Sequence, residues 1–194
     1  MLTDGLAILD RMVLAVDLVR ERLLRATAAL ERAGVLYAVA GGNAVAAWVA
    51  RVDVAAVRAT QDVDIILRRA DLAAAQAALE EVGFVYRHVA GMDIFLDGPN
   101  AKARAAVHVV FADEMVRPHE AMPNPDAAQS EFLSQYHVLT LEALVQIKLT
   151  AFRPKDQTHL LDLIDVGLID GSWKDRYPLE LAERLQWLID NFVN

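Results

Sequence analysis

A chain of 194 residues, 55% hydrophobic and 24% charged, holds one domain, or one small core with a helical appendage, and has too much apolar material for disorder to be its main state. The net charge of −8 argues against coating of duplex nucleic acid, which calls for a basic face, and the absence of cysteine excludes disulfides, thiolate metal sites, Fe–S clusters and cysteine nucleophiles. The 33 alanines favour helices over an all-β architecture.

The chain opens Met-Leu-Thr-Asp-Gly, with no basic region or small-residue cleavage site, so no secretory signal is expected. Residues 5–33 carry Leu9, Met12, Val13, Val16, Val19, Leu23 and Leu24 at spacings of mostly three to four, which predicts an amphipathic helix, broken near Asp10 and closed by Gly34. Ala33 to Ala50 runs without a charge, but its middle is Gly41-Gly42-Asn43 and much of the rest is alanine, so it reads as buried strand, tight turn and buried helix, not as a membrane span. A cytoplasmic protein with no membrane partner is the expectation. Val35–Ala40 is the strand, and Asn43 caps a helix to about Ala50. Residues 51–61 are expected to be a loop, Val63–Leu67 a β-branched strand, and Asp71–Glu81 a helix. Phe84–Arg87, Asp93–Leu96 and Ala106–Phe111 read as strands, with Gly91 and Gly98-Pro99-Asn100 supplying turns.

Residues 113–136 contain Pro118, Pro123 and Pro125 without periodicity and predict a long loop. Thr140 caps a helix over Leu141–Phe152, Pro154 opens another running from Lys155 to about Ile169, Gly171-Ser172 breaks the chain, and Pro178 opens a last helix to Asn194. Ser130, Ser134 and Ser172 fall in expected loops or turns, so no serine triad is indicated, and Trp48, Trp173 and Trp187 sit among apolar positions as core or interface residues. The expected fold class is α+β: an N-terminal helical segment (1–33), a mixed-sheet α/β core of four or five strands (34–136) and C-terminal helices packed on it (137–194). A doubly wound dinucleotide fold is not expected, because no Gly-x-Gly-x-x-Gly follows the first strand.

Three clusters carry chemistry. Ala40-Gly41-Gly42-Asn43 lies where a strand meets a helix, and the free backbone N–H groups of a helix start suit a phosphate; a plain packing turn is the other reading. In Arg58-Ala59-Thr60-Gln61-Asp62-Val63-Asp64 the two aspartates share one face of a strand, about 7 Å apart along the backbone. Two ionised carboxylates that close repel by about 2 kcal/mol at an effective dielectric of about 20. A divalent metal relieves this, Mg²⁺ or Mn²⁺ being the usual choice where carboxylates and phosphates are the donors; so does pairing of one aspartate with Arg58 or Arg68. The third cluster is Lys148, Arg153-Pro154-Lys155-Asp156, His159 and Asp162, where positions 155, 159, 162 and 166 form one helical stripe. It reads either as cations around a triphosphate or as a solvated face of ion pairs. His88, His119, His137 and His159 show no metal-ligand spacing.

A Gly-Gly turn, a short helix and then a strand bearing Asp-x-Asp about 20 residues on resembles the nucleotidyltransferase-fold superfamily, the polymerase-beta-like group. Gly41 and Gly42 match its first motif and Asp62 and Asp64 its second, with Gln61 where a hydrophobic residue leads the pattern. Lys148, Arg153, Lys155, Asp156 and Asp162 look like the C-terminal motifs of the abortive-infection, type IV toxin–antitoxin branch. The resemblance implies transfer of a nucleoside monophosphate from a nucleoside triphosphate to a hydroxyl of RNA, protein or a small molecule. The nucleotide would be held by Gly41, Gly42, Asn43, Arg58, Thr60, Lys148, Arg153, Lys155 and Asp156, and the metal by Asp62 and Asp64. A cognate antitoxin or a homodimer is the implied partner. The third carboxylate of the family falls at His108, which makes it a candidate catalytic residue, as metal ligand or general base, or else a core histidine bonded to a backbone carbonyl. Asp93 and Glu114 are the carboxylates near that strand, out of register. The alternatives are a nucleotide-binding but inactive regulatory or toxin–antitoxin module, and a structural dimer whose acidic pair is incidental.

Overall fold

The computed structural model describes residues 2–133 and 135–192, with side chains from residue 7 onward except that of Arg104. Ser134 and the expected end of the last helix at Val193–Asn194 lie outside the described residues. Helix α1, Leu2–Arg32, is one unbroken rod of 31 residues. Asp10 does not break it, because its side chain lies exposed on the outside of the rod and costs only a little helix propensity. The apolar stripe splits in two along its length: Val19, Leu23, Ala26 and Leu30 are buried, while Leu9, Met12, Val13 and Val16 remain exposed. The buried half is fastened by Arg22 and Arg25, both of which pair with Asp97.

Seven strands form one mixed sheet: β1 Tyr37–Ala40, β2 Val63–Leu67, β3 Val85–Val89, β4 Met92–Leu96, β5 Ala106–Phe111, β6 Ser130–Leu133 and β7 Tyr136–Leu139. Their order is β3-β4-β5-β2-β1-β7-β6. The sequence led to an expectation of four or five. The first extra strand comes from the end of the stretch read as loop, where Ser130 opens β6, and the second, β7, from Tyr136 and the residues between that stretch and Thr140. Each is four residues long with no clear alternation; β7 exists because it pairs in parallel with β1, and β6 because it pairs antiparallel with β7. β7 thus takes its stability from a partner distant in sequence, and β6, its neighbour in a hairpin, depends on it in turn.

Helices α2 (Gly41–Val49), α3 (Leu72–Glu81), α4 (Leu141–Ala151), α5 (Pro154–Asp165) and α6 (Leu179–Phe192) complete the fold. Thr140 caps α4 as expected, its hydroxyl accepting from the Ala143 N–H. Helix α5 stops at Asp165, short of Ile169, where the chain turns back through hydrogen bonds from the Gly167 and Leu168 N–H groups to the carbonyls of Ile164 and Leu163. Helix α1 packs on β2, β5 and β7 with α3 beside it, whereas α2 lies on β1, β2 and β7 and carries α4 and α5. Among the described residues no helix is long and apolar enough to cross a membrane.

Candidate functional site

Strand register brings the first two clusters together. Antiparallel pairing of β1 with β2 sets Ala40 opposite Asp64, and parallel pairing of β2 with β5 sets Asp64 opposite His108. Asp64 is thus flanked on one side by the residue before Gly41 and on the other by an imidazole. Asp62, Asp64 and His108 each offer a ligand atom within 4.8 Å of the other two. Gly41 has a φ of +61°, and a Cβ built there falls 2.6 Å from Asp64 Cγ, so the turn has room for the Asp64 carboxylate only because residue 41 has no side chain. Gly42 plays the same part for Thr60, whose hydroxyl donates to Asp62 Oδ1 at 2.8 Å.

Among the described residues neither aspartate is held by an arginine. Arg58 pairs with Asp162 at 2.7 Å and Arg68 with Asp126 at 2.9 Å, which removes both partners considered from the sequence. The one cation in contact with Asp62 among the described residues is Lys155, its Nζ 3.5 Å from each carboxylate oxygen. Burial tends to raise the Asp62 pKa, but the Thr60 hydroxyl and the Lys155 charge outweigh it and hold Asp62 below the usual carboxylate range. Asp64 goes the other way: burial, then the charge of Asp62, push it up. Two carboxylates this close, with a single lysine against one of them, fit a bound dication, whose charge favours the ionised form of both.

A cavity of about 420 Å³ opens beside the pair. Its polar side is made by Gly42, Thr60, Asp62, Lys155 and His159, and its apolar side by Val45, Ala46 and Val49 of α2. The Arg58–Asp162 pair stands at its rim, so Lys155, His159 and Asp162 of the helical stripe do converge here. A second cavity, of about 500 Å³, lies on the other side of Asp64 and His108, lined by Met92, Val110, Ile147 and Arg153 among others.

Three residues expected to contact nucleotide are placed elsewhere. Asn43 is not the N-cap of α2, which starts at Gly41 after Ala40; its amide donates instead to the Asp62 carbonyl at 2.8 Å and fixes the loop leading into β2. Lys148 is buried, with its Nζ 3.1 Å from Asp156 Oδ1, and lines neither cavity. Asp156 is 1% exposed and is fully engaged by Lys148 and by Arg153, whose Nε lies 2.7 Å away. These two supply a buried brace under the site: a carboxylate so enclosed faces no ligand, while the Lys148 charge is still felt by Asp64. Asp93 and Glu114 do not serve as a third carboxylate either. Asp93 is held by the Tyr86 hydroxyl and His88, and Glu114 by both nitrogens of an Arg69 fork. Trp48 is a core residue, its indole N–H donating to the Leu139 carbonyl at 3.0 Å.

His159 is 9% exposed, and its Nδ1 is buried without a hydrogen-bond partner. Burial, with Lys148 and Lys155 nearby, pushes its pKa down to about 4. The unfolded chain, with a histidine near 6.5, therefore takes up a proton before the folded chain does, and this group costs stability as pH falls from about 6.5 to about 4. The steepest loss from one proton is about 1.4 kcal/mol per pH unit. We expect urea denaturation at pH 7.5 and pH 5 to show a smaller pH difference for His159→Gln than for the unsubstituted chain; equal differences would refute the buried neutral imidazole.

No protein-family model matches the chain, and no curated protein matches it. Among solved structures it is similar to an antigenic nucleotidyltransferase-like protein from Paracoccidioides brasiliensis, with a TM-score of 0.59 and 16% identity over 92% of this chain and 90% of that one. It is also similar to a candidate nucleotidyltransferase from H. pylori, with a TM-score of 0.52 and 12% identity over 91% of this chain and 77% of that one. The mixed sheet, its flanking helices and these two likenesses agree: the chain has the nucleotidyltransferase fold.

Proposed function

We propose that the protein transfers a nucleoside monophosphate from a nucleoside triphosphate to an acceptor hydroxyl. The observation that carries this reading is the placement of Asp62 and Asp64, unpaired with Arg58 or Arg68, beside the Gly41-Gly42 turn at the head of α2. The triphosphate would lie against that turn, where the first N–H groups of α2 point outward and carry partial positive charge. Lys155 and Arg58 of the first cavity and Arg153 of the second are exposed cations that would balance phosphate charge. The apolar wall of Val45, Ala46 and Val49 suits a nucleobase.

Asp62 and Asp64 would hold the divalent cation, Mg²⁺ or Mn²⁺, with His108 completing the donor set. When bound, the cation supplies charge stabilisation to the transferring phosphoryl group and the pyrophosphate that leaves. The second cavity, across Asp64 and His108 from the first, is where the acceptor hydroxyl would enter, be it on RNA, protein or a small molecule. In this assignment the transfer site belongs to the 34–136 core and borrows Arg153, Lys155 and His159 from the C-terminal helices. The resemblance of the Lys148 to Asp162 stretch supports reading the chain as a protein of the abortive-infection, type IV toxin–antitoxin kind, which would act in the cytoplasm with a cognate antitoxin or a second copy as partner.

The test is incubation with isotope-labelled nucleoside triphosphates and cell lysate. Label is expected on one acceptor class with the unsubstituted protein and at background with the Asp62→Asn, Asp64→Asn double variant, whose melting profile stays that of a folded protein. Nucleotide binding without transfer would replace this reading by the regulatory module, and unchanged nucleotide affinity in the double variant would remove the metal role.

A further inference from the structure

We infer that the Asp62–Asp64–His108 site selects a first-row transition-metal dication over Mg²⁺, with His108 Nδ1 as its nitrogen ligand. The inference rests on the metal-site reading above and deepens it. It starts from the orientation of one ring. His108 Nε2 lies 3.0 Å from the Ala103 carbonyl oxygen. A carbonyl oxygen only accepts, so Nε2 carries the hydrogen, and in the neutral ring the lone pair is then on Nδ1. Nδ1 is 3.8 Å from Asp64 Oδ1 and turned toward the two carboxylates. The anchor is backbone: Ala103 opens the 3₁₀ turn Ala103–Ala105 directly before β5, so strand and anchor are fixed together. A ring N–H tied to a backbone carbonyl is the arrangement that orients ligating histidines and raises their basicity.

The rest of the donor set decides which ion suits it. Asp93 and Glu114 are the carboxylates that would otherwise harden the site, and both are consumed by other partners: Asp93 by Tyr86 and His88, Glu114 by Arg69. What remains is two carboxylates and one imidazole, a formal charge of −2 with a nitrogen in place of a third anionic oxygen. Mg²⁺ dehydrates reluctantly and takes oxygen donors in near-ideal octahedra, so it gains little from the ring. Imidazole is a good ligand for the later first-row ions, whereas Mn²⁺ shares with Mg²⁺ a suitability for carboxylates, which makes Mn²⁺ the most stringent first-row probe of what the ring adds.

The experiment is calorimetric titration of the full chain with Mn²⁺ and with Mg²⁺, for the unsubstituted protein, His108→Ala and His108→Asp, together with the visible absorption of added Co²⁺. The expected results are a Mn²⁺ affinity at least about tenfold above that for Mg²⁺, a loss of about tenfold or more in Mn²⁺ affinity in His108→Ala, and a Mn²⁺/Mg²⁺ ratio that falls about tenfold in His108→Asp. The Co²⁺ spectrum is expected to change when the ring is removed. Equal binding of the two ions by the unsubstituted protein, or a ratio unmoved by either His108 variant, overturns the inference. The metal-site reading fails separately: it falls if Asp62→Asn leaves all metal binding intact, whereas metal binding that needs Asp62 and Asp64 but not His108 defeats only the selectivity.

Discussion

Replacing Gly41 by alanine is expected to abolish nucleotide binding and to cost about 2–5 kcal/mol of stability. Two penalties combine. The left-handed backbone, at a φ of +61°, costs a residue with a Cβ about 1–2 kcal/mol. The Cβ itself arrives 2.6 Å from Asp64 Cγ and 2.8 Å from Asp64 Cβ. Asp64 cannot retreat, since it is paired in the sheet with Ala40 on one side and His108 on the other. Forced overpacking of this kind costs about 1–3 kcal/mol, and here it also drives the carboxylate out of the donor set. Gly34→Ala is the control. Its φ is +66°, but nothing lies within 4 Å of the added methyl, so only the backbone term applies and nucleotide binding should be retained. Urea denaturation and calorimetric nucleotide titration measure both effects; wild-type nucleotide affinity in Gly41→Ala would show that the turn does not hold the phosphates.

Removing Asp156 is expected to cost about 3–5 kcal/mol of stability in Asp156→Ala. This side chain receives the Lys148 ammonium at 3.1 Å on one oxygen and Arg153 Nε at 2.7 Å on the other, and Arg153 can turn to solvent when the partner goes. Lys148 cannot, because its side chain is 7% exposed. The cost is therefore that of a stranded buried charge, and a second substitution should relieve it: Lys148→Met added to Asp156→Ala is expected to recover most of the loss. Denaturant midpoints for the two single variants and the double form the cycle. Additive losses would mean that the two side chains do not act as a pair. Asp156 is also held below the usual carboxylate range, the Arg153 and Lys148 bonds outweighing burial, so the stability it contributes is present at neutral pH and is lost as acid protonates it.

The parts of the site that local pattern reveals are those set by short-range rules. The β-branched run Val63–Leu67 with an acid two residues before Ile66 specifies a strand with Asp62 and Asp64 on one side, and the glycine pair specifies a turn. The place of His108 relative to Asp64 follows once β2 and β5 are paired in parallel. Other features depend on partners that no local window contains. Arg58 and Asp162 meet from 104 positions apart, and without that pairing Arg58 looks like a free cation or a partner of its neighbours Asp62 and Asp64. Lys148 and Asp156 look like phosphate ligands in a list of charges, and only the packing of α4 on α5 shows that they neutralise one another. Strands β6 and β7 are written in four residues each, too few for a period to show, and the sheet edge at β1 creates them. Asn43 does not cap α2 because Gly41 and Gly42 are themselves its first turn, which puts the start of the helix two residues ahead of the asparagine.

The clasp between Arg58 and Asp162 is exposed on its arginine side and adds little to stability by itself. Its consequence lies in the timing of biosynthesis. A nascent chain that has emerged only as far as β5 already owns both aspartates and the imidazole, yet has no lysine against Asp62 and no far wall for the cavity, since these arrive with α5. On the proposed reading, capture of a nucleotide would therefore wait until α5 has been made and has packed on α2.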